Sequence, residues 1–242
     1  MNIKSDQIKI GNIEIITVRK NIKNLHLGVY PPNGRVRIAV PLKTSDEAIR
    51  LFVISKIAWI KKQKSKFHNQ ERQSKREYVS GESHYYFGRR YLLNVVYISP
   101  SPRIEIKRKT YINMYIKPNS LHKKREKILE DWYRAELKKQ LPLLTKKWEK
   151  VIGVEPKEVL IRKMKTRWGT CNPDSKRIWL NLELAKKPLH CLEYIFVHEM
   201  VHLLEKTHSD KFKAYMNSFM PRWKQFKEEL NKQPLSYNEW DH

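Results

Sequence analysis

Between Pro188 and Lys206 the sequence places Leu189, Leu192, Ile195, Phe196, Val197, Met200, Val201, Leu203 and Leu204 on nearly every side of a helix. A helix without a polar face has to be buried, so this segment predicts a central helix around which the fold is arranged. Pro188 suits its first turn, where a missing N–H costs nothing. Within the stretch stand His198, Glu199 and His202. An imidazole and a carboxyl are costly in an apolar interior unless they are paired or bound to something.

The spacing suggests what they bind. His198-Glu199-Met200-Val201-His202 is an HExxH, whose two histidines lie about 40° apart on a helix, so both rings can reach one metal ion. Glu199 is poorly aligned to complete the ligand set but well placed to take a proton from water at the open coordination position. A structural zinc site closes with four protein ligands, whereas a hydrolytic one uses three, so a third ligand is needed. His208 follows His202 at the offset found in HExxHxxGxxH sites, with Glu205 where the glycine stands. The turn that brings His208 back must come from Lys206-Thr207 or from fraying of the helix end. Glu205, Asp210, Glu228 and Glu229 compete for the same place. The alternative without a metal is two core histidines with satisfied hydrogen bonds.

Ahead of this helix the pattern has two parts. Ile8 to Ile10, Ile13 to Val18, Leu25 to Tyr30 and Val36 to Val40 alternate with period two, with a turn at Pro31-Pro32-Asn33-Gly34, and predict an antiparallel meander. Thr44 or Ser45 caps a helix carrying Ile49, Phe52, Val53, Ile57 and Ile60, which ends in the polar tract Lys61 to Arg76. Tyr85 to Phe87, Tyr91 to Tyr97 and Arg103 to Ile116 add further strands, the last near Ser99-Pro100. From His122 a long helix begins, kinked at Pro142. Glu158 to Lys163 and Arg177 to Leu182 read as strands, and Ser209 and Pro221 open two last helices. No internal repeat is evident. The expectation is an α+β chain: residues 1–118 a β-rich domain with an antiparallel sheet and one helix, residues 119–242 a helical domain with a small sheet and the central HExxH helix.

Composition narrows the setting. With 50 Lys and Arg against 25 Asp and Glu, the chain carries a formal charge of +25, so nucleic acid or nucleotides are possible partners through its surface. Seven Gly and twelve Pro among 242 residues exclude fibrous and low-complexity classes. No apolar run approaches the roughly 18 residues of a membrane span. Met1 to Gln7 lacks a secretory apolar region, and two cysteines, Cys171 and Cys191, form no disulfide framework. These features together predict a cytoplasmic protein without a membrane partner; the sequence leaves the oligomeric state open.

Arg162-Lys163-Met164-Lys165-Thr166-Arg167-Trp168-Gly169-Thr170-Cys171, Ile178-Trp179-Leu180-Asn181, and Tyr194, His198, Glu199, His202 and His208-Ser209 together resemble the YgjP-like metallopeptidases, relatives of SprT-like proteins. Trp59-Ile60, Gly81-Glu82 and Tyr86-Phe87-Gly88-Arg89-Arg90-Tyr91 extend the resemblance over nearly the whole chain, with Thr170 for Ser and Thr207 for Asn as small departures. The resemblance implies a zincin-like domain, zinc as the metal, His198, His202 and His208 as ligands, Glu199 as general base, and a peptide or protein substrate. Peptidases of this geometry often add the substrate as an extra strand, for which Arg177 to Leu182 is the candidate. Arg167 and Asn181 are candidate donors to substrate or oxyanion, or else turn-fixing residues, and Trp168 and Trp179 are expected to pack around the site. Two other functions fit the charge: a metal-dependent phosphoanhydride (nucleoside triphosphate) hydrolase, although no GxxxxGK loop occurs, and a DNA-associated protease. A non-catalytic zinc-stabilised module is the last.

Overall fold

The structure, a computed structural model, describes residues 5–30, 34–69, 76–98, 101–164 and 167–232. The first alternating segments form β1 (Ser5–Ile10), β2 (Ile13–Lys20), β3 (His26–Tyr30) and β4 (Arg35–Pro41). β1 and β2 make an antiparallel hairpin around Gly11, whose φ of 57° is the left-handed value a two-residue turn requires. β3 and β4 make another, and Pro31, Pro32 and Asn33 between them lie outside the described residues. The expected meander is corrected at one pair: the order is β1-β2-β4-β3, and β2 runs parallel to β4. β2 buries Ile13, Ile15 and Val18 and β4 buries Val36, Ile38 and Val40, whereas no residue of β3 is fully buried. The two most apolar strands therefore take the interior places; period two reports which face is covered, not which strand lies alongside.

Ser45 caps α1 (Asp46–Ser55), its Oγ accepting the Ala48 N–H at 3.2 Å, with Asp46 and Glu47 in the first turn. The single helix expected through Ile60 breaks at Lys56 and restarts as α2 (Ile57–Asn69), which takes up the beginning of the polar tract. Residues 70–75 of that tract lie outside the described residues. Ile49, Val53 and Ile60 join the buried faces of β2 and β4 in a core of their own.

The next unit begins with β5 (Ser83–Tyr86), β6 (Arg89–Val96), β7 (Arg103–Lys107) and β8 (Tyr111–Tyr115), in the order β5-β6-β8-β7 with β6 parallel to β8. Ser99 and Pro100 lie outside the described residues. This repeats the arrangement of β1 to β4. Each copy opens on a hairpin turned by a glycine of positive φ, Gly11 or Gly88, and in each the fourth strand in chain order is followed by a helix. Ile112, Met114 and Ile116 occupy the places of Val36, Ile38 and Val40, and all six are buried. A repeat absent from the letters is therefore present in the strand order and in the buried positions.

α3 (His122–Ile152) continues through Pro142 and stops at Gly153, which adopts φ 79°. It covers β9 (Glu158–Arg162): Arg134 donates to the Ile161 carbonyl at 2.7 Å, and Lys163 pairs with Glu126 and Glu130. β9 runs parallel to β11 (Arg177–Asn181), which is antiparallel to β10 (Gly169–Asn172), a strand that the sequence pattern conceals within a turn. A short 3-10 helix (Leu182–Lys186) leads into α4 (Leu189–Val201), followed by α5 (Asp210–Phe219) and α6 (Trp223–Lys232). No helix among the described residues is long and apolar enough to cross a membrane.

The chain divides into two compact units near residue 72, not at 118. Tyr91, Leu93, Val95, Ile112, Met114 and Ile116 share one core with Leu129, Tyr133 and Leu137 of α3 and Phe196 and Val197 of α4. The change of pattern at His122 marks a switch from strand to helix inside this core.

Candidate metal centre

α4 is buried almost throughout, with Leu192, Phe196, Val197, Met200 and Val201 fully enclosed. The sequence carries this helix to Lys206, but it ends at Val201 with His202 as its C-cap. Leu203, Leu204 and Glu205 donate their N–H groups back to Met200 and Val201, so the helix end tightens and frays. His202 shares a hydrogen at Nδ1 with the Glu205 carbonyl, 3.1 Å away. With Nδ1 as the donor, the Nε2 lone pair is left free.

The tightened turn brings His208 back. Its Nε2 lies 3.0 Å from Nε2 of His198, and the ring centroids of His198, His202 and His208 are 4.7 to 5.0 Å apart. One ligand nitrogen from each falls within 4.8 Å of the others. Phe212 forms the floor, its ring 4.7 to 4.9 Å from all three imidazoles. It stands in the first turn of α5, where the Ser209 hydroxyl caps the helix by accepting the Phe212 N–H. The sequence pattern gives only a helix opened by Ser209; the place of Phe212 under the three rings has no signature in spacing.

Burial, reinforced by His202, His208 and Lys227, lowers the His198 pKa to about 3, and burial also lowers that of His202. The His198 and His202 rings are therefore neutral and offer lone pairs. Glu199 is 5% exposed, and burial raises its pKa to about 8 against the opposing charge of Arg167. Three imidazole nitrogens clustered in this way are a donor set suited to a divalent transition ion such as zinc.

The competing ligands are engaged elsewhere. Glu205 accepts from the Thr207 N–H and hydroxyl, Asp210 is 98% exposed beside Lys213, and Glu229 pairs with His190 at 2.6 Å. Glu228 is exposed on α6 and does not join the cluster. A second group, His190, Cys191 and Glu229, also lies within ligand distance. It is poorly suited to a metal: Cys191 is wholly buried, its thiol is pushed up to about 12, and the other two satisfy each other.

The remaining candidates divide. Asn181 is spent on turn-fixing: its Nδ2 donates to the Met164 and Arg167 carbonyls, and its Oδ1 accepts from the Met164 and Glu183 N–H groups. It has no donor left for a substrate. Arg167 is exposed, with its charge acting on Glu199. Trp168 packs on the core, whereas Trp179, between the buried Ile178 and Leu180, faces the other side of β11. β11 itself is corrected as the docking strand, because β9 and β10 occupy both of its edges. Among the described residues the edge strands of this sheet are β10 and β9, and α3 lies against β9, with Arg134 on the Ile161 carbonyl. The Asn181 N–H donates to the Trp168 carbonyl at 2.9 Å, which makes Trp168 and Asn181 a hydrogen-bonded pair. By alternation, the N–H and C=O groups of Gly169 and Cys171 point away from β11.

A histidine cluster beside a buried carboxyl on one helix is an arrangement used by metal-dependent hydrolases. The comparisons specify the class. The family model "YgjP-like, metallopeptidase domain" matches residues 23–233. The chain belongs to the YgjP-like family and is a metal-dependent peptidase. Among solved structures it is similar to the metallopeptidase zymogen of Pyrococcus abyssi abylysin, at 21% identity and a TM-score of 0.35, over 38% of this chain and 95% of that one. No curated protein matches the sequence.

Proposed function

We propose that the chain is a zinc-dependent peptidase in which His198, His202 and His208 hold the metal and Glu199 moves the proton. The observation that carries this reading is the facing of the His198 and His208 Nε2 atoms at 3.0 Å, with His202 in the same cluster. Bound there, zinc would supply the Lewis acidity that activates a water and polarises a peptide carbonyl. Glu199 in its ionised form accepts a proton from the attacking water and returns it to the departing amine. Its carboxyl is buried, so little bulk water competes for that proton. A nearby cation favours the ionised form that burial alone opposes.

The substrate backbone is read by β10. An extended peptide laid along this edge pairs with the outward groups of Gly169 and Cys171, on the strand that faces Glu199. Pairing of this kind suits a peptide backbone and offers nothing specific to a nucleotide, which favours the peptidase over phosphoanhydride hydrolysis. Arg167 lies on the approach to the same strand and is accessible to a substrate carbonyl or carboxylate.

Elemental analysis and cleavage of fluorogenic casein test the reading. Wild type should hold about one zinc per chain, and His208→Ala should lose most of it. Glu199→Gln should keep the metal and lose at least about 10²-fold in rate. A metal-loaded Glu199→Gln protein that cleaves at the wild-type rate removes Glu199 from the chemistry.

A further inference from the structure

Gly169 opens β10, opposite Leu180. Glycine weakens a strand and, within one, marks a place where something approaches closely. Its φ is outside the left-handed region, so the backbone does not require glycine here. The space does: a Cβ at this position would lie 2.6 Å from Oε1 of Glu199, 2.8 Å from its Cγ and 2.9 Å from its Cδ. The carboxyl has little room to step aside, because Glu199 is itself buried, at 5% exposure.

We propose that Gly169 is a positioning residue for Glu199. The side chain missing from β10 is the seat that holds the carboxyl, so the strand presenting its edge to a peptide also sets where the proton acceptor sits. The N–H and C=O of Gly169 face that open edge while its Cα bears on Glu199, so one residue fixes the distance between substrate backbone and base. This rests on Glu199 acting as the base.

The steric part is tested without metal. Thermal melting of the metal-free full chain is compared for wild type, Gly169→Ala, Glu199→Ala and the double variant. Gly169→Ala should lower Tm by about 3–10 °C when Glu199 is present, the effect of overpacking a closed site. In the Glu199→Ala background the same change should leave Tm unaltered or raise it, since alanine restricts the unfolded chain more than glycine does. Equal losses in both backgrounds overturn the contact. The zinc-loaded proteins on fluorogenic casein test the positioning. Gly169→Ala should lose about 10²-fold in kcat with KM and zinc content unchanged, as expected of a displacement near 1 Å. An unchanged kcat overturns the positioning role even if the melting results hold. Turnover by Glu199→Gln, in contrast, would overturn the base assignment on which it rests.

Discussion

Asn181 commits all of its amide to the segment around it, tying Met164 and Arg167 to the start of the 3-10 helix. Asn181→Leu keeps the volume and leaves these backbone groups, part-buried or buried, without their partners, at up to about 1–3 kcal/mol each before relaxation. We expect a fall in unfolding free energy of about 3 kcal/mol in urea titrations; a loss below about 0.5 kcal/mol would mean that water replaces the amide. At this scale the sequence was most legible for His198, Glu199 and His202, because helix periodicity alone puts the two rings on one face. His208 was legible from its offset. The Glu205 carbonyl and the Phe212 floor were not, because a backbone oxygen has no residue-type signature and a ring at helical spacing reads as ordinary core. For Asn181 the sequence left donor and turn-fixing roles side by side, because it does not reveal where an amide's hydrogen bonds are already spent.

Strands and helices were found where patterning was strong, and their neighbours were not. β3 and β4, or β9 and β11, have the same alternation whichever strand lies beside them, so the parallel pairs and the hidden β10 emerged only with the register. In β5 a single buried position shows what an interior imposes. His84 is 4% exposed and donates to the Glu82 carboxylate, which also accepts the Glu77 and Tyr78 N–H groups. Burial first, then the charge of Arg76, lowers its pKa from 6.5 to about 4 despite that carboxylate. Between these values the unfolded chain takes up a proton that the folded chain refuses, so stability falls as pH drops from about 6.5 toward 4. Melting at pH 7.5 and pH 5 should show wild type losing more Tm than His84→Gln; parallel losses would place the His84 pKa near its ordinary value.

The two compact units make different demands on a truncation. A chain beginning at residue 76 keeps the whole core that contains α4, and should melt cooperatively and bind about one zinc. A chain beginning at residue 119 lacks Tyr91, Leu93, Val95, Ile112, Met114 and Ile116 from that core. Losses of about 2–5 kcal/mol for each such side chain exceed the 5–15 kcal/mol that holds a domain together, so it should be unfolded by circular dichroism. A folded 119–242 fragment would restore the boundary that the pattern change at His122 suggests. The duplicated strand order escaped the sequence because β-sheets tolerate wide changes of residue type while burial is kept. The histidine cluster has a further consequence, in time. His198 and His208 are ten residues apart, and closing so short a loop costs little chain entropy, with each doubling of length adding only about 0.6 kcal/mol. Gly169 meets Glu199 across a much longer stretch of chain. The three histidines can therefore gather early in folding, while Gly169 comes to bear on Glu199 only when β10 arrives; in the function proposed above, the chain would hold its metal before it could cut peptides.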